Sequence, residues 1–163
     1  MSTRGTQGRA DTASVPTGFR GTAIAFDFGL RRIGLAAGDT ITRTAAPLAA
    51  VGHGEHGPDW AAIGRALAAY RPGLLVVGYP YNEDGTPGKM AGPASAFAAA
   101  LAARSGLGVE RVDERYSSLE AAAELRQRRA AGTQRRRVRH ADVDSLAAAI
   151  ILERWLRGES FKR

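Results

Sequence analysis

The chain contains no cysteine, which excludes disulfides, zinc–thiolate sites and thiol nucleophiles. No apolar run approaches membrane-spanning length, and the first residues lack the hydrophobic block of a secretory signal, so a cytoplasmic protein is expected. Histidine is scarce as well. His53 and His56 flank Glu55, but not at the spacing of a His-Glu-x-x-His helix, and the surrounding glycines and Pro58 read as a loop. Ser117 and Ser118 have no histidine nearby to act as a base, and Ser117 to Glu120 is sufficiently explained as a capping box that opens a helix running to about Arg129.

What the chain has is a net charge of +7, which points to a polyanionic partner. Its 163 residues suit one domain with a real core. Residues 1–20 mix Ser, Thr, Gly, Arg and Gln without apolar periodicity and read as a disordered tail. Residues 21–158 form the expected domain, and 159–163 a short C-terminal tail.

The chain is organised around Ala23–Ala37. Two apolar runs, Ala23–Phe28 and Ile33–Ala37, flank a break containing Gly29, Arg31 and Arg32, the pattern of a strand hairpin. Asp27 stands near the end of the first run. It is either a turn former that accepts backbone N–H groups or a carboxylate that handles metal or phosphate at the mouth of a central strand. A third strand is expected over Ala46–Val51 and a helix over Asp59–Tyr70, with Trp60, Ile63, Leu67 and Tyr70 on one core-facing side. Leu74–Gly78 reads as a buried strand, and the polar loop after it, containing Tyr79, Tyr81, Asn82 and Lys89, lies where open α/β sheets bind ligands. An Ala-rich helix over Ala91–Arg104 precedes a last strand from Val109 into Asp113, Glu114 and Arg115.

Seven arginines lie from Arg126 to Arg139, among them Arg128, Arg129, Arg135, Arg136, Arg137 and Arg139. They read as a solvated loop or, beside an acidic site, as a phosphate contact. In the final helix Asp144 shares a side with Ala147, Ile151 and Trp155, whereas Asp142 suits a cap or solvent. Asp27, Asp113 or Glu114, and Asp144 would converge if the strands that end in acids are neighbours. Clustered carboxylates need cations, and oxygen ligands suit Mg²⁺ or Mn²⁺.

These residues also carry a resemblance. Ala25–Gly29 with Arg32-Ile33-Gly34, Val77–Pro80 with Asn82–Gly85, Asp113–Arg115 with Ser117-Ser118, and Val143-Asp144 with Ala147–Leu152 resemble the YqgF/RuvX family. That family consists of Holliday-junction-resolvase-like proteins of the ribonuclease H-like superfamily, associated in bacteria with maturation of small-subunit ribosomal RNA. The resemblance implies an α/β fold with a five-stranded mixed sheet of order 3-2-1-4-5 flanked by helices. It implies Asp27, Glu114 and Asp144 as catalytic, metal-binding acids, with Asp113 close by, and a Mg²⁺- or Mn²⁺-dependent endonuclease acting on precursor rRNA. Two departures stand out: Leu30 replaces a small hydroxyl residue, and Tyr79 and Tyr81 replace aliphatic ones. Arg31, Arg32, Asn82, Lys89 and Arg115, with the arginines of the basic segment, are the expected nucleic-acid contacts. The alternatives are a branched-DNA junction resolvase, a non-catalytic RNA-binding factor of the small ribosomal subunit, and a nucleotide-binding ATPase, for which the chain is short. The expected state is a monomer or a homodimer.

Overall fold

Strands β1 (Thr22–Phe28) and β2 (Arg32–Asp39) are apolar on both faces because both faces are covered, so each reads as a run of buried residues. A computed structural model of the chain describes residues 18–79, 88, 89, 91–113 and 140–158, and for 113 and 140–144 the backbone alone. β1 and β2 pair antiparallel from Thr22↔Asp39 to Phe28↔Ile33. The chain reverses at Gly29, where a Cβ would stand 2.6 Å from the Arg32 carbonyl oxygen. Only glycine fits that turn without moving backbone.

β3 (Thr44–Gly54) pairs antiparallel with β2, and β4 (Gly57–Pro58) folds back on its end through His53↔Pro58 and Gly54↔Gly57. β5 (Leu74–Tyr79) runs parallel to β1, and β6 (Gly108–Asp113) parallel to β5. The sheet order is β4-β3-β2-β1-β5-β6. The mixed α/β architecture is the expected one, but among the described residues the sheet has six strands rather than five. The segment Gly52–Pro58, expected as a loop, is instead the end of β3 and the return strand β4. The His53 N–H donates to the Arg31 carbonyl and the Asp59 N–H to the Gly52 carbonyl, both at 2.9 Å, so this glycine-rich backbone finds its partners at the sheet edge.

Helix α1 (Trp60–Tyr70) starts at Asp59, whose carboxylate caps it by accepting from the Ala62 N–H at 3.0 Å. α2 (Ala91–Ser105) ends before Gly106, whose φ is +70°. Both cover one sheet face, where Ile63, Phe97 and Leu101 meet Ile24, Phe26, Leu35, Leu75 and Val77. Trp60 stacks on Phe97 with centroids 5.6 Å apart, and the Arg104 guanidinium sits 4.2 Å from the Trp60 ring. Core packing accounts for this tryptophan, as expected. Tyr70 departs from the expected stripe. As the last residue of α1 it is 44% exposed, because the chain leaves the sheet at the left-handed Arg71.

The opposite face carries Ala23, Ala25, Ala36 and Val76, and α3 (His140–Leu156) packs on it through Ala148, Ile151, Leu152 and Trp155. Small side chains there let the helix approach closely. A Cβ on Gly38 would lie 2.9 Å from Leu156 Cδ1 and 3.0 Å from Leu152 Cδ2. α3 begins at His140, so Asp142 stands in the first helical turn and not at the cap. Ala147, Ile151 and Trp155, the side expected to hold Asp144, are each at most 1% exposed. The helix expected after Ser117 lies outside the described residues.

Candidate active site

β1, β5 and β6 run parallel, so their carboxyl ends share one edge of the sheet. Phe26 pairs with Val77, and Tyr79 with Asp113, which sets Asp27 and Asp113 within one residue step of a common level across three strands. Crevices outside such ends are where open α/β sheets bind ligands. Asp27 alternates with Ala25 and Ala23, both in the cluster beneath α3, so it emerges on the α3 face, half-buried.

α3 is docked with its first turns toward that same edge. Ser145 Oγ accepts from the Leu35 N–H at 3.5 Å, while the far end of the helix meets Gly38 through Leu152 and Leu156. Glu153 Oε1 accepts from the Ala45 N–H at 3.4 Å. The helix therefore runs along β2 from Leu35 toward Gly38. Asp27 pairs with Gly34, the neighbour of Leu35, and Asp144 precedes Ser145. The backbones that carry Asp27 and Asp144 are thus joined by one short link. For Asp144, as for Asp113, only the backbone is described.

The turn behind Asp27 is held by a residue the sequence did not single out for this role. His53 Nδ1–H donates to the Gly29 carbonyl at 2.8 Å, and its ring lies 5.1 Å from that of Phe28. A carbonyl can only accept, so the proton is on Nδ1. Ser145, 3% exposed in an otherwise apolar helix face, was likewise missed; its only signal is a hydroxyl inside the run Val143–Ile151. Tyr79 is met by the Arg111 guanidinium 5.2 Å from its ring centroid, an arrangement that period and composition do not announce.

Of the expected phosphate contacts, Arg31 is exposed in the β1–β2 turn and Arg32 half-buried at the start of β2, both at the edge that holds Asp27. Lys89 is exposed just ahead of α2. Glu114, Asn82, Tyr81, Arg115, Arg128, Arg129, Arg135, Arg136, Arg137 and Arg139 lie outside the described residues. Among the described residues no three His, Cys, Asp or Glu side chains form a metal-holding group. Asp27 is the one expected ligand whose side chain falls within that set. A half-buried carboxylate oxygen at a strand end has the hardness that Mg²⁺ or Mn²⁺ requires.

An antiparallel β3-β2-β1 unit extended by two parallel strands, helices on both faces and an acid closing the first strand define a ribonuclease H-like fold. The yeast mitochondrial Holliday junction resolvase Ydc2 shares that fold. Its solved structure matches at a TM-score of 0.53 and 10% identity, over 83% of this chain and 78% of that one. The family model described as "RuvX: Holliday junction resolvase" matches residues 21–158, and the chain belongs to that family. A relative from Paraburkholderia phytofirmans, named "Putative pre-16S rRNA nuclease", is 43% identical over 148 residues, covering 90% of this chain and 95% of its own length. One from Burkholderia lata with the same name is 44% identical over 135 residues, covering 83% of this chain and 88% of its own. Among the described residues, no helix is long and apolar enough to cross a membrane.

Proposed function

We infer that this chain is a phosphodiester-cleaving hydrolase, a nuclease that processes the precursor of 16S rRNA. The observation that carries the reading is Asp27, on the α3 face at the carboxyl end of β1, beside the first turns of α3, in a chain of the RuvX family. Relatives that share over two fifths of their residues with it along nearly their whole length bear the pre-16S rRNA nuclease name.

Asp27, Glu114 and Asp144 are the proposed ligands of a Mg²⁺ or Mn²⁺ ion. Val112 lies in the cluster beneath α3, and the two-residue period of a strand therefore favours Glu114 over Asp113 for the face of Asp27. Such an ion, when bound, supplies charge stabilisation at the phosphate and a more acidic water. The chain's own part is to fix the carboxylates. Gly29 sets the turn, His53 holds its carbonyl, and Ser145 ties the helix that bears Asp144 to β2. Arg31, Arg32 and Lys89, with Asn82, Arg115 and the arginines from Arg128 to Arg139, are the proposed backbone contacts that offset the repulsion between an acidic centre and a polyanion. The proposed site of action is the cytoplasm, on precursor RNA of the small ribosomal subunit.

A second reading, cleavage of branched DNA, is favoured by the description of the family itself. It calls for two centres and so for a homodimer. Cleavage of labelled precursor RNA and of a four-way DNA junction, each with Mg²⁺ or Mn²⁺ and with chelator, tests both. Metal-dependent cutting of the RNA in preference to the junction is expected. Binding without cutting under every condition would replace the nuclease with a binding factor.

A further inference from the structure

The edge of the sheet opposite the carboxylates holds its own concentration of positive charge. Among the described residues the non-glycine positions with positive φ are both arginines, Arg43 at 56° and Arg71 at 46°. Left-handed backbone disfavours any residue with a Cβ by about 1 kcal/mol, and glycine is its ordinary occupant. Arg43 closes the turn between β2 and β3, its N–H donating to the Asp39 carbonyl, and Arg71 ends α1, its N–H donating to the Leu67 carbonyl. Both turns are tied to the start of β1, because the Thr40 N–H donates to the Gly21 carbonyl at 3.1 Å and the Gly73 N–H to the Thr22 carbonyl at 2.9 Å. Arg20 stands just ahead of that strand. With Arg43 it lines an open hollow of about 390 Å³ together with Phe19, Thr40 and Leu156. Arg157 follows Leu156, and Arg20, Arg43, Arg71 and Arg157 are all exposed. Among the described residues two carboxylates lie near. Asp39 accepts from the Ile41 N–H at 2.7 Å and Glu153 from the Ala45 N–H at 3.4 Å, so both are engaged with backbone, and the arginines outnumber them.

We propose that this amino edge is a second contact for the sugar–phosphate backbone of the nucleic acid, remote from the bond to be cut. Planar guanidiniums around a hollow suit phosphate oxygens, which they meet in forked pairs of hydrogen bonds. The seven residues of β1 separate it from the carboxylate edge by about 20 Å. A substrate must therefore be long enough to run along the flank of the domain to touch both, which makes the edge a reader of substrate length and structure. The proposal rests on the nucleic-acid reading above, though not on cleavage.

The test uses the full chain and the triple variant Arg20→Gln, Arg43→Gly, Arg71→Gly. Glycine takes the left-handed backbone without steric cost, so two of the three charges leave without threatening the fold. Affinity is measured across a salt series for RNA duplexes of about 30 and about six base pairs. The roughly five steps of the shorter, each rising less than the roughly 3.4 Å of B-DNA, span under about 17 Å and cannot bridge the roughly 20 Å between the two edges. With the long duplex the slope of log affinity on log salt is expected to fall by about 2 to 3, near 0.9 per lost contact, and affinity at low salt by about tenfold or more. With the short duplex the loss shrinks to a fraction of that. A matched long DNA duplex distinguishes which polymer the edge grips more tightly. An unchanged slope with the long RNA, or an equal loss at both lengths, overturns the proposal. Asp27→Asn serves as the separate control. Should it still cut RNA, the nuclease reading fails while the slope continues to judge the amino edge.

Discussion

Ser145 Oγ lies 3.5 Å from the Leu35 nitrogen, a link between residues 110 positions apart. It sits where the register between β2 and β3 slips between Ile33 and Leu35, so the last helix meets the sheet at an irregularity in its hydrogen-bond ladder. Through it, the helix that bears Asp144 is indexed to the hairpin that bears Asp27.

At 3.5 Å this bond is long, so Ser145→Ala is expected to lower stability by at most about 1 kcal/mol. Cleavage should fall further than that loss of folded protein explains, because a small misplacement of a catalytic group is costly. Urea denaturation alongside single-turnover cleavage checks it, and a rate that merely tracks the folded fraction would deny Ser145 any indexing role.

Gly29→Ala sets a Cβ 2.6 Å from the Arg32 carbonyl and is expected to destabilise by about 1–3 kcal/mol. Gly52→Ala, with nothing within 4 Å of the added carbon, should change stability by about 0.5 kcal/mol or less. Denaturant midpoints for the pair separate a steric demand from a general dislike of alanine in the hairpin region.

His53→Phe keeps a ring against Phe28 and removes the donor to the Gly29 carbonyl, for an expected loss of about 1 kcal/mol. His53→Ala gives up the ring contact too and should cost about 0.5–1.5 kcal/mol more. Equal losses in the two variants would mean that the ring contact contributes nothing.

Gly38→Ala drives a Cβ to 2.8 Å from the Thr44 carbonyl and about as close to Leu152 and Leu156. Destabilisation of about 1–3 kcal/mol is expected, with α3 displaced from the sheet. Hydrogen exchange along α3 reads the displacement directly.

Much of this was legible beforehand, for a physical reason. The β1–β2 hairpin and β5 declare themselves because strands covered on both faces must be apolar throughout, and α3 because Ala147, Ile151 and Trp155 recur at the helical period and are all buried. β3 was foreseen as Ala46–Val51 but runs from Thr44 to Gly54, since glycine and histidine carry no strand signal although their backbone pairs at an edge. Ser145 and His53 escaped because period tells which face a residue takes and not which distant carbonyl or N–H awaits it. Asp27 was legible as an acid misplaced in an apolar strand, and the parallel pairing of β1, β5 and β6 supplies what sequence lacked, one edge at which strands 1 and 6 both finish.

The central claim is that Asp27 and Asp144 act on one metal-dependent centre. It is tested most directly by single-turnover cleavage of precursor RNA in Mn²⁺ by the wild type, Asp27→Asn, Asp144→Asn and the double variant. Groups that act as a unit are strongly non-additive, so each single variant should lose about a thousandfold in rate and the double variant little more. Cutting by Asp27→Asn at the wild-type rate, or losses that multiply in the double variant, would contradict it.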